Sequence, residues 1–118
     1  MEKVLEISLL LDFYGQLLTP RQLEILDLHY NNDYSLGEIA QEFNISRQGV
    51  HDNIKRGKAA LNEFEEKLKL VKKFMRQKKK AEEILHYIDS INTDGMSESD
   101  RINLKKVKDG ISDIIENI

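Results

Sequence analysis

Residues 35–54 read Ser35-Leu36-Gly37-Glu38-Ile39-Ala40-Gln41-Glu42-Phe43-Asn44-Ile45-Ser46-Arg47-Gln48-Gly49-Val50-His51-Asp52-Asn53-Ile54. Ser35 followed three residues later by Glu38 is a capping box, in which each side chain satisfies a backbone N–H that the helix start leaves unbonded. Leu36, Ile39, Ala40 and Phe43 then share one side of a helix barely two turns long. Asn44 tolerates the left-handed conformation that stops a helix, Ile45 plugs the core, and Ser46 caps the next helix. The small Ala40 lets two helices cross closely, with Val50 and Ile54 facing them. These residues predict a tight helix-turn-helix over 35–57.

Upstream, apolar residues recur at 4, 7, 11, 14 and 18 and again at 10, 13 and 17, a stripe so wide that the first helix has to be largely covered. Thr19-Pro20-Arg21-Gln22 supplies a cap, a proline at the first helical position and a glutamine three residues after the cap. A second helix starts there with Leu23, Leu26 and Tyr30 inward, and Asn31-Asn32-Asp33 ends it by competing for backbone hydrogen bonds.

Downstream, the helix capped by Ser46 turns Val50, Ile54 and Gly57 inward and keeps its period through Leu61, Phe64, Leu68, Val71 and Met75. Continued by sevens, that stripe reaches Lys78, Glu82 and Asp89, whereas the apolar residues are Ala81, Leu85, Ile88 and Ile91. The slip in phase predicts a long helix with a discontinuity near 76–80. Asn92-Thr93-Asp94-Gly95 breaks it, and Ser97 with Asp100 marks the cap of a last helix carrying Leu104, Val107, Ile111, Ile114 and Ile118. That stripe needs a covering surface, either residues 81–91 folded back or a second subunit, and a homodimer is the expectation. The expected fold is all-α: a helix-turn-helix domain over 1–60, then a long basic helix and a C-terminal helix over 61–118 serving dimerisation or packing.

Composition agrees. In 118 residues with six Gly and one Pro there is little punctuation for a sandwich or barrel, and 40% hydrophobic residues suffice for a core. Zero cysteines remove disulfides, thiolate metal sites and cysteine nucleophiles, as suits a reducing cytoplasm. Met1-Glu2-Lys3-Val4 leads into an apolar run broken by Glu6 and Asp12, without a signal-peptide cleavage site. Nothing approaches the ~20 apolar residues of a membrane span, so no membrane insertion is expected. The net charge of −3 divides into −3 over residues 1–60, +5 over 61–81 and −5 over 82–118. The basic block is either a solvated helix face or a second surface for phosphate or an acidic segment, carried by Lys72, Lys73, Arg76, Lys79 and Lys80.

Chemistry for catalysis is missing. His29, His51 and His86 are too far apart in sequence for two imidazoles to meet one metal at i, i+4 spacing. Glu83-x-x-His86 is a single element of a di-metal pattern that needs two, plus further carboxylates. No phosphate-cradling loop, dinucleotide fingerprint or nucleophile elbow is present. No catalytic residue, metal or cofactor is expected.

The helix-turn-helix carries what function is visible. At about 100° per residue, Gln48, His51, Asp52, Lys55 and Arg56 point away from Val50 and Ile54, with Arg47 at the exposed first turn. Gln48 matches an adenine edge, and Arg47 a guanine or a phosphate. Lys55, Arg56 and Lys58 suit the backbone, and the helix N-terminus adds positive potential. Asp52 works against phosphate unless it accepts from cytosine or is neutralised. The competing reading is a packing scaffold whose outward face meets protein.

Thr19-Pro20-Arg21-Gln22, Tyr34-Ser35-Leu36-Gly37-Glu38-Ile39-Ala40 and Ser46-Arg47-Gln48-Gly49-Val50 together resemble region four of bacterial sigma factors, a promoter-reading helix-turn-helix. Asp33-Tyr34-Ser35-Leu36, Ser46-Arg47-Gln48 and Asp52-Asn53-Ile54-Lys55-Arg56 resemble more closely the YlxM family of small bacterial proteins, over about residues 1–75. Gly49 and His51 stand where Ala and Tyr are expected in that family. The resemblance implies an all-helical dimer associated, through neighbouring genes, with the signal recognition particle. It implies a regulatory or accessory role on DNA, on the particle's RNA or on the targeting GTPases.

Overall fold

The computed structural model describes the backbone of residues 3–117 and side chains from Glu6 onward; expectations placed on Met1, Glu2, the Val4 side chain and Ile118 lie outside the described residues. The elements are α1 (Lys3–Tyr14), a 3-10 turn (Gly15–Leu17), α2 (Pro20–Asn31), α3 (Leu36–Phe43), α4 (Arg47–Leu68), α5 (Leu70–Asp89) and α6 (Glu98–Asn117). Among the described residues there is no strand, and the fold is all-α. The chain divides into two compact units, Met1–Val71 and Lys72–Ile118.

In the first unit α4 is the axis, packed by α1, α2 and α3. Tyr14, Ile25, Leu26, Ile39, Val50 and Leu61 are its most completely buried side chains, each contributing about 1.5–3 kcal/mol of transfer free energy. Gly57 lets α2 approach α4 closely, because a Cβ there would lie 2.6 Å from Leu26 Cδ1. The caps form as their spacing dictates. Thr19 Oγ1 accepts from the Gln22 N–H at 3.2 Å, and Gln22 Oε1 accepts from the Thr19 N–H at 3.3 Å. Ser35 and Glu38 exchange the same pair of bonds at 3.1 and 2.9 Å. Asn44 takes φ 53°, and Ser46 Oγ accepts from the Gly49 N–H at 2.9 Å. The His29 Nδ1–H donates to the Tyr34 carbonyl at 2.8 Å and fastens the turn between α2 and α3.

Two features of this unit differ from expectation. Ile25 is fully buried beside Leu26, whereas Leu23 and Tyr30 are half-buried. The expected wide apolar stripe is not fully covered: Phe13 in α1 is 38% exposed and Leu17, which lies in the 3-10 turn rather than in α1, is 57% exposed.

The expected discontinuity near 76–80 is corrected. α5 runs unbroken through the basic stretch, and the break lies at Lys69, which adopts the left-handed conformation at φ 57°. Its cause is tertiary. The Tyr14 hydroxyl, 1% exposed as a residue, donates to Glu65 Oε1 at 2.6 Å and accepts the Leu70 N–H at 3.0 Å. The same Glu65 oxygen accepts the Val71 N–H at 3.0 Å, so α1 and α4 supply the cap that α5 lacks locally. Burial and the Glu65 carboxylate push the Tyr14 hydroxyl above its ordinary pKa of 10.0.

The break resets the helical phase. Val71, Phe74, Lys78, Ala81, Leu85 and Ile88 are the residues of α5 that are not exposed, at spacings of 3 and 4. Lys78 thus lies within the apolar stripe, its ammonium 6.0 Å from the Phe74 ring centroid. The first unit also continues past residue 60, since Leu61 is fully buried and Val71 belongs to the same core.

The second unit is a thinner structure. Ser97 Oγ caps α6 through the Asp100 N–H at 3.1 Å, and Lys108 pairs with Asp89 of α5 at 2.7 Å. That pairing raises the Lys108 pKa. α6 buries no residue fully: Leu104, Ile111 and Ile115 are half-buried, while Val107 and Ile114 are 51% and 50% exposed.

Candidate nucleic-acid interface

α4 begins at Arg47, where the Ser46 hydroxyl fixes the first turn, and the Asn53 side chain donates to the Gly49 carbonyl at 2.9 Å. Because Val50, Ile54, Gly57 and Leu61 are held in the core, the opposite side of the helix has one orientation available to it. Arg47, Gln48, His51, Lys55 and Arg56 are exposed, and Lys58 is half-buried.

The structure brings some of these together. His51, Lys55 and Lys58 line one shallow groove of about 430 Å3 with Ile54, Ala59 and Asn62. The Lys58 ammonium is held 5.8 Å from the Tyr30 ring centroid, a cation–π contact that steadies its position. Arg56 does not join them. One residue on from Lys55, it is rotated by about 100° and occupies the other flank of the helix, beyond Asp52.

Two side chains are placed by neighbours. The Arg47 guanidinium lies against Gly37 in the first turn of α3, so that a Cβ at Gly37 would stand 3.0 Å from Arg47 Nη2. Gln48 Nε2 donates to Asp52 Oδ1 at 3.1 Å. At the start of α3, the Ser35 backbone N–H and hydroxyl hold the Glu38 carboxyl below its ordinary pKa.

Sequence reasoning missed Asn62 and Ala59, which extend the groove one to two turns beyond the turn motif. The signal was present as the spacings 51, 55, 58 and 62 for Asn62, and 55 and 59 for Ala59, along one side of α4.

Lys72, Lys73, Arg76, Lys79 and Lys80 are all exposed on α5, over about 12 Å of helix and opposite its apolar stripe. Lys78, in the middle of the same run, turns the other way. Among the described residues no group of three His, Asp or Glu side chains is arranged to hold a metal ion, and no helix is long and apolar enough to cross a membrane.

UPF0122, a family described as "Putative helix-turn-helix protein, YlxM / p13 like", matches residues 1–113. A UPF0122 protein of Acetivibrio thermocellus is 62% identical over 117 residues, covering 99% of this chain and 100% of its own length. One from Desulforamulus reducens is 41% identical over 118 residues, covering 97% of this chain and all of its own length (100%). A third, from Geobacillus sp., is 48% identical over 88 residues, covering 75% of this chain and 80% of its own. With the turn of α3 and α4 formed as such a motif requires, the chain belongs to the UPF0122 family of YlxM / p13-like helix-turn-helix proteins.

Proposed function

We propose that this chain is a cytoplasmic, non-enzymatic regulator that binds nucleic acid as a homodimer and serves the signal recognition particle pathway. The observation that carries the reading is the exposure of Gln48, His51 and Lys55 on the side of α4 turned away from its buried residues, with Arg47 exposed in the first turn. A helix held by its apolar side in a three-helix scaffold presents its polar side to a major groove without rearrangement. In this reading Gln48 and Arg47 meet base edges, while Lys55, Arg56 and Lys58 hold phosphates. The basic face of α5 is a second phosphate surface for DNA or for the particle's RNA.

A gel shift with Arg47→Ala plus Lys55→Ala tests this. Affinity should fall for duplex DNA, for RNA or for both, and the salt dependence should flatten by roughly one unit for each phosphate the variant no longer holds. Unchanged affinity for both removes the α4 surface from the mechanism.

Dimerisation is supported by α6, which leaves Ile102, Val107 and Ile114 half in water. A monomeric mass at micromolar concentration in sedimentation would count against it. The same exposed side chains, with the net charge of −5 over residues 82–118, favour a second reading, an accessory factor that touches the targeting GTPases. That reading predicts co-purification with the GTPases, or altered nucleotide turnover, after nuclease treatment.

A further inference from the structure

We infer that Asp52 is a positioning residue for base readout: it orients the Gln48 amide and restrains the basic face around it from gripping phosphate indiscriminately. The inference rests on α4 being the recognition helix.

Asp52 is the one carboxylate on α4 before Glu63, and it sits among Arg47, Lys55, Arg56 and Lys58. Electrostatics alone would pair it with Arg56, four residues further along the helix. Among the described residues it pairs instead with Gln48, four residues earlier, at 3.1 Å, and it is half-buried where its basic neighbours Lys55 and Arg56 are exposed.

A carboxylate only accepts, so the amide must turn its nitrogen toward Asp52, and the ambiguity between amide oxygen and nitrogen is removed. One N–H goes to Asp52. The Oε1 acceptor and the second N–H remain side by side, which is the pattern that adenine complements with its N6–H donor and N7 acceptor. In free solution an exposed bond of this spacing is weak. Inside a groove from which water is displaced it strengthens, and the orientation matters most there.

The charge has a separate effect. A fixed negative group among phosphates weakens every duplex alike, so Asp52 lowers the sequence-independent part of binding while the amide it holds supplies the sequence-dependent part. The two effects have opposite signs on affinity and specificity, which a merely structural residue would not produce.

The experiment is selection from a duplex DNA library with a randomised core on the immobilised full chain, followed by affinity for the unselected library at several salt concentrations. The wild type should prefer adenine at one position, by about five- to a hundred-fold, the range one bidentate contact supplies. Asp52→Asn should bind the unselected library several-fold more tightly, with a salt slope steeper by about one, and lose that adenine preference. Asp52→Glu, which keeps the charge and the reach, should restore the preference. Gln48→Ala should lose it, and adding Asp52→Asn to Gln48→Ala should raise affinity without further change in preference.

Retention of the adenine preference in Asp52→Asn overturns the inference and leaves the recognition helix standing. So does absence of any base preference in a wild type whose binding still depends on Arg47 and Lys55. If Arg47→Ala plus Lys55→Ala changes nothing and no sequence is enriched, the recognition reading itself falls.

Discussion

Both units of the molecule are helical, yet they are held together differently. In Met1–Val71, Tyr14, Ile25, Leu26, Ile39, Val50 and Leu61 are at most 1% exposed. In the described part of Lys72–Ile118, Ala81 is the one buried apolar residue, and a methyl group contributes only about 0.8 kcal/mol. Helices start and stop through local bonds, and both units have those; burial requires further covering surface, and among the described residues of the second unit Ala81 alone is fully covered. The contrast separates what a short segment specifies by itself from what it specifies only in company.

The largest effect expected from this contrast is in the core. Leu61→Ala should cost about 2–5 kcal/mol in denaturant unfolding, whereas Ile114→Ala should stay within about 0.5 kcal/mol in dilute protein. If Ile114→Ala becomes costly as the protein concentration is raised, a second copy covers α6. If it is costly at every concentration, the second unit has a covering surface within the chain and the contrast is wrong.

Next in size is the joint at Lys69. Tyr14→Phe leaves the Leu70 N–H without its acceptor and takes one donor from Glu65, which keeps the Val71 N–H, at about 1–3 kcal/mol. The joint also has a pH signature. Folding raises the Tyr14 pKa above 10.0, so its contribution is fully present below that ordinary value. It is lost as pH climbs through the higher folded value. Thermal unfolding between pH 9 and 12 should show this alkaline loss in the wild type and not in Tyr14→Phe.

These two regions also show what was legible in the sequence. Each cap, at Thr19, Ser35, Ser46 and Ser97, was readable because the partners are three residues apart. The polar side of α4 was readable because its apolar side is periodic. The break at Lys69 was not, because Tyr14 and Glu65 are 51 residues apart and neither is unusual by itself. A phase slip was detectable, but sequence periodicity cannot tell a displaced helix from a lysine accepted into an apolar stripe, and Lys78 is such a lysine. The choice of Gln48 over Arg56 by Asp52 was equally hidden, since both lie one turn away.

A smaller effect belongs to the capping box of α3. The Glu38 carboxyl is held below its ordinary pKa of 4.5 by the Ser35 donors, so its contribution is present above that value and disappears as pH falls through the lower folded one. Ser35→Ala should cost about 1 kcal/mol near neutrality and weaken this acid-side dependence without abolishing it, because the backbone N–H at position 35, the stronger of the two Ser35 donors to Glu38, is kept; thermal midpoints between pH 2 and 6 read both effects.

The smallest effect on stability, and the most informative for the interface, is Gly37→Ala. Alanine favours a helix over glycine by up to about 1 kcal/mol, so the substitution should leave the melting temperature unchanged or slightly raised. Its methyl, however, would stand 3.0 Å from Arg47 Nη2, and the guanidinium is the partner free to move, since it ends an exposed side chain. Arg47 would then leave its place beside α3 without any loss of charge. A gel shift in which Gly37→Ala weakens binding as Arg47→Ala does would assign importance to where the guanidinium is held. Wild-type binding by Gly37→Ala would mean that Arg47 acts through its charge alone, as a phosphate contact on a mobile side chain.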